Sequence, residues 1–125
     1  MKIRYLILIA FTVTGCVNPP TQQEIASADY GVFPTNSGEL IKDFYSNRLK
    51  DPDSVKYKRF TQPKQYYLGD RSSGPIYGYL VCATLNAKNS YGAYIGYSTD
   101  GFLIRNGHIV KYVQDGLWGT LNVCQ

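Results

Sequence analysis

Residues 76–85, IYGYLVCATL, decide the fold. They pass without a charge or a proline and alternate with period two. Tyr77, Tyr79, Val81, Ala83 and Leu85 share one face; Ile76, Leu80 and Cys82 share the other. Both faces are largely apolar, as in a strand covered on both sides, so this segment is expected at the centre of a sheet.

Partners for it are expected on both sides in sequence. Downstream, Asn106-Gly107 is the sharpest turn signal. Both residues tolerate positive φ, as a two-residue type I′ hairpin requires. That turn predicts pairing of Arg105 with His108, Ile104 with Ile109 and Leu103 with Val110, and makes 108–114 the return strand. Residues 94–97 begin a strand that resumes at 102–105 after a break at Asp100-Gly101. Upstream, 55–61 and 64–68 are strand candidates, the second short and at an edge. Residues 69–75, GDRSSGP, form a loop by composition.

Ahead of the strands the period changes. Leu40, Ile41, Phe44, Tyr45 and Leu49 recur at helical spacing, with Lys42, Asp43, Asn47 and Lys50 on the opposite side. This predicts a helix over 36–50, with Asn36 as its cap and Glu39 three residues on. Pro52 disfavours helical backbone before it, and Asp51-Pro52-Asp53-Ser54 makes a turn. The expected architecture is α+β, one N-terminal helix packed on an antiparallel sheet of about four or five strands. The domain spans 36–125. Its tail, 116–125, is expected to pack Trp118 on the sheet. Residues 17–35 hold Pro19-Pro20, glutamines and small residues without a period, and are expected to form a flexible tether.

The chain opens MKIRYLILIAFTVTGC. Lys2 and Arg4 precede an apolar run too short for a bilayer-spanning helix, which needs about 20 residues. The ending Val13-Thr14-Gly15-Cys16 resembles the lipobox of bacterial lipoproteins. The resemblance implies that 1–15 is a signal peptide and that the Cys16 thiol takes a diacylglycerol. The freed amino group is then acylated, and 16–35 becomes a lipidated tether. In such lipoproteins an Asp after the cysteine tends to mean inner-membrane retention, so Val17 implies the outer membrane. Cys16 could instead be incidental to an ordinary secretory signal.

Removing Lys2 and Arg4 from 13 basic side chains leaves 11 against 9 acidic ones, a net charge of about +2. With no Lys/Arg-rich run, a nucleic-acid partner is not expected. Export to an oxidising compartment favours a Cys82–Cys124 disulfide, although two separate thiols also fit the sequence. Those two cysteines and the single His108 do not make a metal-ligand set. His108 sits beside a hairpin turn, where a polar residue is expected. No Ser-His-acid set or phosphate-binding glycine loop is legible. Asp51 and Asp53 suit a turn, and neither a cofactor nor a small-molecule substrate is indicated.

One segment stands apart, Asn86-Ala87-Lys88-Asn89-Ser90-Tyr91-Gly92-Ala93-Tyr94. Its amides, hydroxyl, cation and rings suit a recognition loop. A long connection whose Asn and Ser bond their own backbone fits equally. The candidate partner-binding residues are Asn86, Lys88, Asn89, Ser90, Tyr91 and Tyr94. Together with residues 49–57 and 81–92, this stretch resembles small exported proteins and lipoproteins of Gram-negative bacteria and their prophages. That likeness covers roughly residues 40–97 and implies no activity. The expectation is a non-enzymatic outer-membrane lipoprotein that binds an envelope protein. The alternatives are a phage- or plasmid-encoded exclusion lipoprotein blocking a surface receptor, a small component of a secretion or envelope-assembly machine, and an envelope hydrolase or inhibitor.

Overall fold

The computed structural model describes residues 18–70, 72–114 and 122–125. Cys16 and Trp118 lie outside the described residues. The elements are α1 Gln22–Ser27, α2 Ser37–Ser46, a 3-10 turn Pro52–Ser54, β1 Lys56–Phe60, β2 Lys64–Asp70, β3 Gly74–Asn86, β4 Ser98–Arg105 and β5 His108–Val113. The sheet has five strands, all paired antiparallel. The helix expected over 36–50 is the second helix among the described residues and is shorter than expected.

β3 is central, as its two apolar faces require. One edge carries β4, from Tyr79↔Ile104 to Leu85↔Ser98. The other edge carries β1 and β2 end to end. Thr61 holds that junction: its amide donates to the Cys82 carbonyl, and its hydroxyl accepts from the Cys82 amide, both at 2.9 Å. β4 turns into β5 at Asn106 (φ 49°) and Gly107 (φ 77°), the two positive values expected for that hairpin.

The two faces of β3 fill two cores. On one face α2 lays Ile41 and Tyr45 over Val81, Ala83, Leu85, Phe102 and Ile104. Full burial of each large apolar side chain here contributes about 1.5–3 kcal/mol. On the other face Leu80, Cys82 and Leu103 pack with Leu68 and the tail residue Val123. The Cys82–Cys124 disulfide, with Cα atoms 5.8 Å apart, ties the tail to that face. Asn36 occupies the N-cap position of α2, but its side chain makes no capping bond. Near the other end of α2, the Ser46 hydroxyl and the Asn47 amide both bond the Asp43 carbonyl, and the helix stops there.

Three expectations are corrected. Asp100-Gly101 is not a break; both lie within β4. Asp100 shares the α2 face with Phe102 and Ile104. Gly101 turns to the opposite face, where a Cβ would stand 2.9 Å from Val123 Cγ2. The tail crosses there, so glycine is set by close approach and not by chain reversal. Second, Leu103 pairs with Lys111 and not with Val110, because the register shifts between Leu103 and Ile104. Val110 is the extra residue of that bulge.

The third correction concerns the tether. A capping box starts α1: the Thr21 hydroxyl accepts from the Glu24 amide at 3.3 Å, and the Glu24 carboxylate accepts from the Thr21 amide at 2.7 Å. Beyond α1 the chain lies on the end of the sheet. Tyr30 is buried, edge-on to Tyr77 at 5.5 Å, and its hydroxyl donates to the Ile25 carbonyl. Phe33 meets Tyr79 at 5.3 Å, and Pro34 is buried. Arg105 donates to the Asp29 carbonyl and pairs with its carboxylate at 2.7 Å. Residues 21–36 are therefore a docked strap. Composition misled because aromatic rings at only two positions, 30 and 33, carry the packing.

Gly31 lets the strap turn. Its φ is +78°, and a Cβ there would lie 2.6 Å from Asn106 Oδ1. That same oxygen accepts from the Val32 amide at 3.0 Å. Gly31→Ala is expected to destabilise the docked strap by about 1–2 kcal/mol. Faster chymotryptic cleavage after Tyr30, which is buried in the docked strap, with the core unchanged, is the readout.

Candidate functional site

The connection between β3 and β4 leaves the end of the sheet remote from the strap. Asn89 closes its turn. The Asn89 amide donates to the Ala93 carbonyl at 2.9 Å, and the Asn89 side-chain oxygen accepts from the Tyr91 and Ala93 amides at 3.0 and 3.1 Å. Gly92 completes the turn with φ +82°. Lys88 and Tyr94 form one bridge across the connection. The Asn86 side chain accepts from the Gly96 amide at 3.1 Å, and Gly96 has φ +104°. These bonds satisfy the backbone of an exposed loop and define its turn.

The loop is also pinned to its neighbours. Tyr94 donates its hydroxyl to the Ser54 carbonyl at 2.7 Å. Lys56 and Lys88 place their ammonium groups 4.2 and 5.5 Å from the centre of the Tyr94 ring. Lys88 also pairs with Asp51 at 3.5 Å. Lys58 stands 5.3 Å from the centre of the Tyr97 ring. Cation–ring contacts at exposed sites contribute about 0.5–1 kcal/mol each. Between the end of α2 and this loop lies an open cleft of about 630 Å³, lined by Arg48–Asp51 and Lys88–Gly92.

The six candidate residues thus divide. Asn86, Lys88, Asn89 and Tyr94 hold the loop in shape. Ser90 and Tyr91 stand at its tip, with Tyr91 95% exposed. Beside them are two residues that the sequence reading placed in a strand: Ile95, 74% exposed, and Tyr97. Residues 94–97 do not begin β4, which starts at Ser98. The signal for this was present, since Gly92 and Gly96 bracket the stretch and interrupt its alternation. Tyr91, Ile95 and Tyr97, the lip of this loop, are its most exposed large side chains, and Lys58 stands over the Tyr97 ring.

A second constellation was also missed. Asp100, 4% exposed under α2, accepts hydrogen bonds from the hydroxyls of Tyr45 at 2.5 Å and Tyr112 at 2.9 Å. Burial, then the Asp100 carboxylate, drives the Tyr45 phenol far above the ordinary tyrosine range. Burial, then the charge of Asp100, raises Tyr112 to about 12. Its sequence signal is an aspartate in step with Phe102 and Ile104 on an inward face. The group lies in the core beneath α2, where it holds the helix to β4 and β5.

Asn89→Ala is expected to change global stability by less than about 0.5 kcal/mol, because the turn is exposed. Amide exchange at Tyr91 and Ala93 is expected to rise about tenfold as the turn opens locally.

Among the described residues no group of three or more His, Cys, Asp and Glu is placed to hold a metal ion, and no helix is long and apolar enough to cross a membrane. The chain matches no protein-family model, no curated protein and no solved structure.

Proposed function

We propose that the chain is a non-enzymatic lipoprotein of the cell envelope. Acyl chains on Cys16 hold it at the outer membrane, and the lip at Tyr91, Ile95 and Tyr97 binds an envelope protein. The observation that carries the binding reading is this lip. Large apolar side chains stand in solvent on a loop whose own hydrogen bonds hold it still. Exposed aromatic area on a preorganised loop costs little entropy on binding. The anchoring reading rests on the Val13–Cys16 motif. It is supported by the bond between Cys82 and Cys124, which leaves Cys16 as the one cysteine of three outside that pair. Two or more acyl chains anchor firmly, at about 0.8 kcal/mol per buried methylene.

The test is crosslinking in Gram-negative envelopes with a photoreactive residue at position 91 or 95, followed by identification of the adduct. One discrete protein adduct, lost when the lip residues that do not bear the probe are changed to alanine in a chain that still folds, is the expected result. Equal labelling from position 91 and from an exposed control such as Asn106 contradicts it.

A further inference from the structure

The strap gathers the start of the chain at one end of the sheet. Glu24, Ser27 and Asp29 line a recess with Pro75, Ile76 and Tyr77. Asp29 holds Arg105, and the Val32 amide holds Asn106. All these partners belong to the start of β3 or to the β4–β5 turn. The lip follows the last residue of β3. From Tyr77 to Asn86, β3 covers about 30 Å at 3.3 Å per residue. Cys16 precedes Asn18 by two residues, so it lies within about 7 Å of it, and within about 18 Å of Thr21. Beside the strap, Val32 and Phe33 are 70% and 50% exposed.

We propose that this hairpin end of the domain, with Val32 and Phe33 on its flank, is the surface that meets the lipid bilayer, and that the strap aims the lip away from it. The proposal rests on the reading of Cys16 as the anchor. The occupant follows from where the chain leaves the fold: the residue that would carry the acyl chains is a few residues from the docked strap. An undocked segment from Cys16 to Asn36 would be a coil with an end-to-end distance of about 25 Å, leaving the domain free to tumble. Docking fixes the chain from Thr21 onward, five residues after Cys16, and so short a separation restricts which end can face lipid. Val32, Phe33 and Pro34 adjoin the uncharged Asn106-Gly107 turn, and together they line a shallow recess. The nearby Asp29 carboxylate is neutralised by Arg105. Such a small apolar point suits the headgroup–acyl boundary.

The chain from residue 16 onward, which is the mature form under that reading, is coupled through the Cys16 thiol to maleimide-bearing lipid. The vesicles are phosphatidylcholine with brominated acyl chains, and no reductant is added, so Cys82–Cys124 stays closed. Because the anchor is supplied chemically, failure of acylation in cells leaves this test untouched. Tryptophan probes V32W and Y91W are each compared with the parent, whose only tryptophan is Trp118. Bromolipid quenching is expected to be at least about threefold greater for V32W than for Y91W. The ratio is expected to fall to about one when D29A and R105A release the strap, or when about twenty Gly/Ser residues are inserted between Asn18 and Thr21 of the intact strap. Equal quenching of the two probes in the strapped chain, or stronger quenching of Y91W, overturns the proposal.

Discussion

Cys124→Ser is expected to lower the free energy of unfolding by about 2–4 kcal/mol, read by urea denaturation beside the parent chain. The bond closes a loop with a sequence separation of 42 residues, for which the chain-entropy relation gives about 4 kcal/mol. The native fold also loses the tail. Residues 122–125 reach the sheet through this bond and through Val123, which packs over Gly101 and beside Leu80 and Leu103. With the bond gone, Val123 is expected to leave its place over Gly101, and that part of β3 and β4 opens to water. A loss below about 1 kcal/mol would mean that the tail is held by other contacts. Gly101→Ala offers an independent check, since its Cβ would press on Val123 and displace the tail while the sulfur bond remains.

Asp100→Ala is expected to cost about 2–4 kcal/mol. It opens a cavity under α2 and leaves the Tyr45 hydroxyl buried without its acceptor. Asp100→Asn keeps one acceptor oxygen and is expected to cost about half as much. Y112F should be milder, because Tyr112 is partly exposed. The same group sets the alkaline limit. Both tyrosines hold their protons more tightly in the folded chain than in the unfolded one, where they titrate near pH 10. Above pH 10 the unfolded state therefore binds fewer protons than the native state, and stability falls with rising pH. Their contribution is intact below about pH 10; that of Tyr112 is lost as the pH climbs through about 12, and that of Tyr45 goes on falling beyond it. Urea midpoints taken between pH 8 and 12 should decline in the parent and decline less in Y45F. Equal slopes in the two chains would show that Tyr45 ionises as freely folded as unfolded.

The legible parts of the fold were those where a local pattern and the tertiary structure agree. Residues 76–85 could only be a covered strand, because neither face offers water a polar row. Asn106-Gly107 could only turn one way. The stripe from Leu40 to Leu49 marks the buried side of α2, and Cys82 and Cys124 do meet. Local reading failed where a distant segment decides. Asp-Gly is turn chemistry in isolation. In β4, tyrosines on α2 and β5 give the aspartate its partners, and the crossing tail leaves room only for glycine beside it. The strap looks unstructured because its order comes from Arg105, Asn106, Tyr77 and Tyr79, all more than 40 residues away in sequence.

The candidate loop shows the same division. Its polar residues were visible, and most of them turn out to serve the loop itself. The side chains left facing solvent are the tip residues and the pair Ile95 and Tyr97, which period-two reasoning had assigned to a strand. Alternation cannot reveal that Asn86 bonds the Gly96 amide and so keeps residues 94–97 out of the sheet beyond one bridge.

The central claim is that Cys16 becomes the lipidated first residue of a domain held at a membrane. Mass spectrometry of the N-terminal peptide, from protein recovered out of Gram-negative membranes, addresses it directly. The account predicts a peptide that begins at Cys16 and carries a diacylglyceryl thioether and an acylated amino group. A polypeptide found in the soluble fraction, still beginning at Met1 and bearing an unmodified thiol at position 16, would contradict it.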